Sequence, residues 1–117
     1  MKKICLSLIL LCAFVLQFCT ASKNAKSNKV AKITYMDNIQ PIVSTSCSPC
    51  HIPPQGNKKP YNTYASVKSD IDEILTRVNR NPGEKGFMPM RHPKLSADTL
   101  NIFAKWKSDG LLENSGR

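Results

Sequence analysis

Two cysteines separated by two residues and followed directly by a histidine, Cys47-Ser48-Pro49-Cys50-His51, are the residues of this chain best placed to do chemistry. The pattern is the attachment signature of a c-type haem. Each thiol can add across a vinyl group of the porphyrin, the sulfur bonding to one vinyl carbon and the proton going to the other. The adjacent imidazole, carried by the same short turn, can reach the iron from the proximal side. Farther along, Gly86-Phe87-Met88-Pro89-Met90-Arg91-His92-Pro93 brings three more metal-binding side chains, Met88, Met90 and His92, on a loop stiffened by two prolines. A second axial ligand is expected there.

Other chemistries use the same residue types. A Cys-x-x-Cys pair can cycle as a thiol redox centre, but that motif follows a buried strand in a βαβ unit. The segment before it here, Asn38-Ile39-Gln40-Pro41-Ile42-Val43-Ser44-Thr45-Ser46, is too polar and proline-broken for such a strand. A structural zinc ion takes four ligands. Outside the N-terminal leader the chain offers only Cys47, Cys50, His51 and the distant His92.

The elements that must position these groups read as helices. A first segment spans about Thr34 to Thr45, with Thr34 or Asn38 as cap and Tyr35, Ile39, Ile42 and Val43 on one side. Pro41 fits its first turn if the helix proper begins near Asn38, and otherwise kinks it. A turn-rich stretch from Ile52 to Pro60 leads to a short helix over Tyr61 to Val67. Ser69 is expected to cap the next helix, whose Ile71, Ile74, Leu75 and Val78 form one apolar stripe before Asn81-Pro82-Gly83 ends it. The last helix starts from Ser96 as N-cap, places Asp98 in its first turn and Lys105 and Lys107 in its last, and stops at Gly110. Leu95, Thr99, Ile102, Phe103 and Trp106 lie along its buried side.

At the N-terminus, Lys2 and Lys3 precede an apolar run from Ile4 to Phe18 and a polar Thr20-Ala21-Ser22-Lys23. This is the pattern of an export signal, and the run falls short of the roughly 20 residues that span a bilayer. Two processing routes fit. Signal peptidase can use Cys19 and Ala21 as the small residues before a cut that leaves Ser22 first, giving a signal peptide of residues 1–21. A lipoprotein signal of residues 1–18 instead makes Cys19 the acylated first residue, with Leu16 suiting the motif and the bulky Phe18 departing from it. Residues 22–32 then read as a tether, 33–112 as one domain and 113–117 as a tail, and the protein is expected to be periplasmic, free or anchored through a lipid.

Of the five cysteines, only Cys47 and Cys50 fall within the domain. In an exported protein a lone close pair is well explained by thioether bonds. The whole chain has 17 Lys and Arg against 8 Asp and Glu; losing Lys2 and Lys3 with the leader leaves a formal charge of +7. That charge suits acidic redox partners or anionic lipid headgroups, or simply a solvated surface. Nucleic acid is an unsuitable partner for a protein that leaves the cytoplasm.

From the Tyr35-x-x-Asn38-Ile39-x-Pro41-Ile42 lead, the Met88-Pro89 pair and the closing Leu95-Ser96-x-x-Thr99-x-x-Ile102-x-x-x-Trp106-x-x-x-Gly110 helix, the chain resembles a small bacterial monohaem c-type cytochrome, class I type and single-domain. The resemblance covers most of Thr34 to Gly110. It implies an all-α fold in which the first and last helices cross near one covalent haem c, bringing Ile39 and Val43 towards Phe103 and Trp106. It also implies a methionine directly before proline as distal ligand, which maps onto Met88, with Met90 and His92 as alternatives. Pro89 would then stiffen the ligand loop and Phe87 shield the porphyrin.

Such a protein is not an enzyme but an electron carrier: iron with two strong protein ligands passes electrons through an exposed porphyrin edge without binding substrate at the metal. A sulfur ligand and an apolar shell from Tyr64, Ile74, Leu75 and Phe87 favour a relatively high reduction potential. Two other readings remain open at this point. An open or weakly held distal position would make a gas binder, sensor or peroxidase-like protein, and the domain could serve as one haem station within a respiratory complex.

Overall fold

The computed structural model describes residues 31–116, a helical domain with no strand among them. The all-α expectation holds at that level. The leader, its two processing routes and most of the tether lie outside the described residues. Among those described, no helix is long and apolar enough to cross a membrane.

The chain enters through a wide π-helical turn, Tyr35–Ile39, that runs straight into α1, Gln40–Ser46. Thr34 caps the turn, its hydroxyl accepting from the Asp37 amide at 3.2 Å and donating to the Asp37 carboxylate at 2.8 Å. Pro41 therefore sits in the first turn of the α-helix proper, where its missing N–H costs nothing. The change of pitch just before it lets one segment hold both Tyr35 and Ile39 in the core and still accommodate the ring of Pro41.

Helix α2 spans Tyr64–Ser69 and opens on a reciprocal capping box between Thr63 and Ser66. Helix α3 spans Ile71–Asn79. The expected start at Ser69 is displaced by one residue. Ser69 closes α2, its hydroxyl donating to the Ser66 carbonyl at 2.9 Å, and Asp70 occupies the joint between the two helices. The helix expected over Tyr61–Val67 likewise starts later, because Tyr61 is committed to the turn before it. Ile71, Ile74 and Val78 are buried as the stripe requires, with Leu75 half-buried beside them.

Helix α4, Ala97–Ser108, opens at Ser96, whose side chain accepts from the Thr99 amide at 3.2 Å. Phe103 and Trp106 are its fully buried residues. The π-helical turn and α3 both pack against α4. Tyr35, Tyr64 and Trp106 form an aromatic cluster, with centroids 5.6 Å apart for Tyr35–Tyr64, 6.1 Å for Tyr35–Trp106 and 6.3 Å for Tyr64–Trp106. Gly110 turns the chain at φ +95°, so Leu111, Leu112 and Glu113 fold back over this cluster. Their carbonyls accept from Tyr64 Oη at 2.7 Å, Trp106 Nε1 at 2.8 Å, and the amides of Tyr35 at 2.8 Å and Met36 at 3.0 Å.

Candidate functional site

The Cys47–His51 turn grows directly out of α1. Cys47 donates its amide to the Val43 carbonyl at 3.0 Å, and His51 donates back to Cys47 at 3.0 Å, winding the motif into a single tight turn. The following stretch folds back against it: Lys58 N donates to the Cys50 carbonyl at 3.1 Å and Tyr61 N to the His51 carbonyl at 2.9 Å. Gly56 allows the approach. A Cβ at this position would collide with the carbonyl oxygens of Pro49 and Cys50, both backbone atoms that cannot step aside.

His51 is held in one orientation. Its Nδ1 lies 2.7 Å from the Lys59 carbonyl oxygen. A carbonyl only accepts, so Nδ1 carries the proton and Nε2 of the neutral ring keeps its lone pair free to bind a metal. The Tyr61 ring stacks on the imidazole at 4.7 Å and 14°. Burial pushes the Tyr61 hydroxyl up to about 12, reinforced by its bond to Asp70, so it stays protonated as a donor. Burial also pushes the Cys47 thiol up to about 11. That is opposite to the lowered pKa of a nucleophilic redox cysteine, whereas a half-buried sulfur in an apolar setting suits a thioether, which carries no charge.

Beside this turn lies a cavity of about 410 Å³, within the roughly 300–1,000 Å³ range of cofactor and ligand sites. Cys47, Cys50 and His51 line it together with the loop from Met88 to His92. The residues singled out by type and spacing in the sequence thus converge on one space. Ile74, Val78 and Phe103 supply apolar floor, and Tyr61 and Leu95 add to it. The shell expected from Tyr64, Ile74, Leu75 and Phe87 is realised by Ile74 alone. Tyr64 belongs to the aromatic cluster around Trp106, Leu75 packs on the core, and buried Phe87 faces a second hollow formed by the Pro82–Lys94 loop.

The three candidates for a second ligand differ in setting. Met88 is half-buried and packs against the core, its amide donating to the Arg77 carbonyl at 3.3 Å. Met90 is 68% exposed at the rim. His92 is half-buried, and its Nε2 lies 2.8 Å from the Ser48 carbonyl. By the same carbonyl argument Nε2 is that ring's protonated nitrogen, so His92 fastens the loop to the cysteine turn.

Among the described residues no three His, Cys, Asp or Glu side chains gather as a metal-chelating group. An iron already held by four porphyrin nitrogens would ask the protein only for axial ligands, and His51, Met88, Met90 and His92 all line the cavity. Lys58, Lys59, Arg77 and Arg91 at the rim are cationic groups suited to carboxylates, with Asp70 and Glu73 between them. Gly56, Tyr61 and Asp70 were not among the residues marked by motif. Gly56 could have been found from its place in Pro-Pro-Gln-Gly, whereas the pairing of Lys59 with Asp70 leaves no pattern in the sequence. No family model matches the chain, and neither the curated proteins nor the solved structures yield a significant match.

Proposed function

We propose that this chain is an exported monohaem c-type cytochrome, of cytochrome c-like helical fold, that passes single electrons between redox proteins. The observation that carries this reading is the convergence on one cavity of Cys47 and Cys50, of His51 with Nε2 left free, and of half-buried Met88. When bound, haem c would supply an iron centre that alternates between ferrous and ferric states. Cys47 and Cys50 would hold it covalently, His51 would give the proximal nitrogen and Met88 the distal sulfur. Ile74, Val78 and Phe103 make part of the lining apolar, which would favour the less charged ferrous form and a relatively high potential. The partners are redox proteins, within a respiratory complex or met by diffusion, and the leader places the domain in the periplasm, free or tethered through Cys19.

The test is the visible spectrum of the ferric protein, matured in a host that attaches haem c. An iron–methionine charge-transfer band in the far red is expected, lost in Met88→Ala and kept in Met90→Ala and His92→Ala. Met88→Ala should also let carbon monoxide bind the ferrous form. A low-spin spectrum lacking the band, changed only in His92→Ala, would transfer the role to His92. A high-spin spectrum in the wild type would favour a gas-binding, sensor or peroxidase-like function, and absence of covalent haem would remove the reading altogether.

A further inference from the structure

We propose that Asp70 is a positioning residue for the imidazole of His51, holding from one carboxylate both groups that fix the ring. The inference rests on the reading of His51 as an iron ligand and extends it to a residue outside every motif.

Asp70 stands at the joint of α2 and α3, in the N-cap place of α3. An aspartate there ordinarily turns its carboxylate onto the first amides of the helix. This one makes no such bond. Instead Lys59 Nζ lies against both of its oxygens, 2.6 Å from Oδ1 and 2.5 Å from Oδ2, and Tyr61 Oη donates to Oδ2 at 3.0 Å. The Asp70 side chain is only 15% exposed whereas that of Lys59 is 62% exposed, so the carboxylate is the sheltered member of the pair.

Both donors are the residues that define His51. The Lys59 main-chain carbonyl takes the Nδ1 proton at 2.7 Å, and the Tyr61 ring lies on the imidazole face at 4.7 Å. Lys59 therefore reaches His51 with its backbone and Asp70 with its side chain, and Tyr61 reaches His51 with its ring and Asp70 with its hydroxyl. Fixing the far ends of both residues fixes the carbonyl and the ring between them. An outer partner of this kind sets the tautomer and raises the basicity of a ligating imidazole, and a more basic ligand favours ferric iron. The carboxylate's own negative charge acts in the same direction. Releasing the clamp should therefore raise the reduction potential.

The experiment compares wild type, Asp70→Asn, Tyr61→Phe and the double variant, reading the reduction potential of the haem-loaded protein and the solvent exchange of the His51 Nδ1 proton in its ferrous form. Asp70→Asn should shift the potential to more positive values and accelerate the exchange. Tyr61→Phe, which keeps the carboxylate, should do both to a smaller extent, and the double variant should go no further than Asp70→Asn alone. A lower melting temperature with potential and exchange unchanged would make Asp70 a structural contact only and overturn the proposal. Fully additive shifts would overturn it as well, since Tyr61 would then act on its own. If the chain takes up no haem, the proposed function falls, and the same exchange measurement on the haem-free full chain still decides whether Asp70 holds His51.

Discussion

At the scale of single residues, Gly56 shows how much of the site depends on backbone and not on side-chain chemistry. Its hydrogen atom faces the carbonyl oxygens of Pro49 and Cys50, which belong to the cysteine turn itself. Gly56→Ala should displace that turn at a cost of roughly 1–3 kcal/mol, the usual range for added volume in a packed place. Denaturant melts would show the loss, and the fraction of chains carrying covalent haem should fall with it. The motif residues were legible from type and spacing alone because Cys-x-x-Cys-His is a local pattern. The residues that orient the motif were not, since Lys59, Tyr61 and Asp70 act through a carbonyl, a ring face and a pairing eleven positions apart. None of these changes the periodicity of the sequence.

At the scale of elements, apolar stripes and caps foretold the existence of the helices better than their limits. Ser96 caps α4 as its sequence implies, whereas Ser69 yields the start of α3 to Asp70 because its hydroxyl bonds backwards to Ser66. Tyr64 is expected in the apolar shell of the site, yet it spends its ring on Tyr35 and Trp106 and its hydroxyl on Leu111. The junction between the first segment and α4 is electrostatic as well as apolar. Asp109 Oδ2 accepts from the Ile33 amide at 2.9 Å, and its carboxylate also meets Lys105 Nζ at 2.9 Å. The Ile33 amide first, and Lys105 next, hold the Asp109 carboxyl below the usual carboxylate range. Its folded value thus lies under its unfolded one, so its contribution to stability is present above roughly pH 4 and is lost as pH falls through the folded value. Asp109→Asn should melt at a lower temperature than wild type at pH 7, and the difference should shrink on acidification. A gap that persists at the acid end would mean that packing, and not charge, joins these elements.

At the scale of the whole molecule, the sequence foretells a basic protein, and the structure places part of that charge where it can act. Lys58, Lys59, Arg77 and Arg91 line the cavity rim, although Lys59 is paired with Asp70 and Arg77 with Glu73. Electron exchange with a small anionic oxidant such as ferricyanide should slow as ionic strength rises, because screening shortens from about 10 Å at 0.1 M to about 3 Å at 1 M salt. Stopped-flow rates across that range provide the check, and a rate indifferent to salt would show that the rim charges cancel. The all-helical class was readable from composition and periodicity, whereas the fold-back of Leu111–Glu113 was not, since its bonds run through carbonyls that every residue carries. That fold-back has a mechanical consequence. The amides of Ile33, Tyr35 and Met36 are bonded to Asp109, Leu112 and Glu113, so a pull on the chain ahead of Ile33 is taken up where the two ends of the domain meet. The load passes into α4 and the aromatic cluster, and the turns around the cavity are spared it.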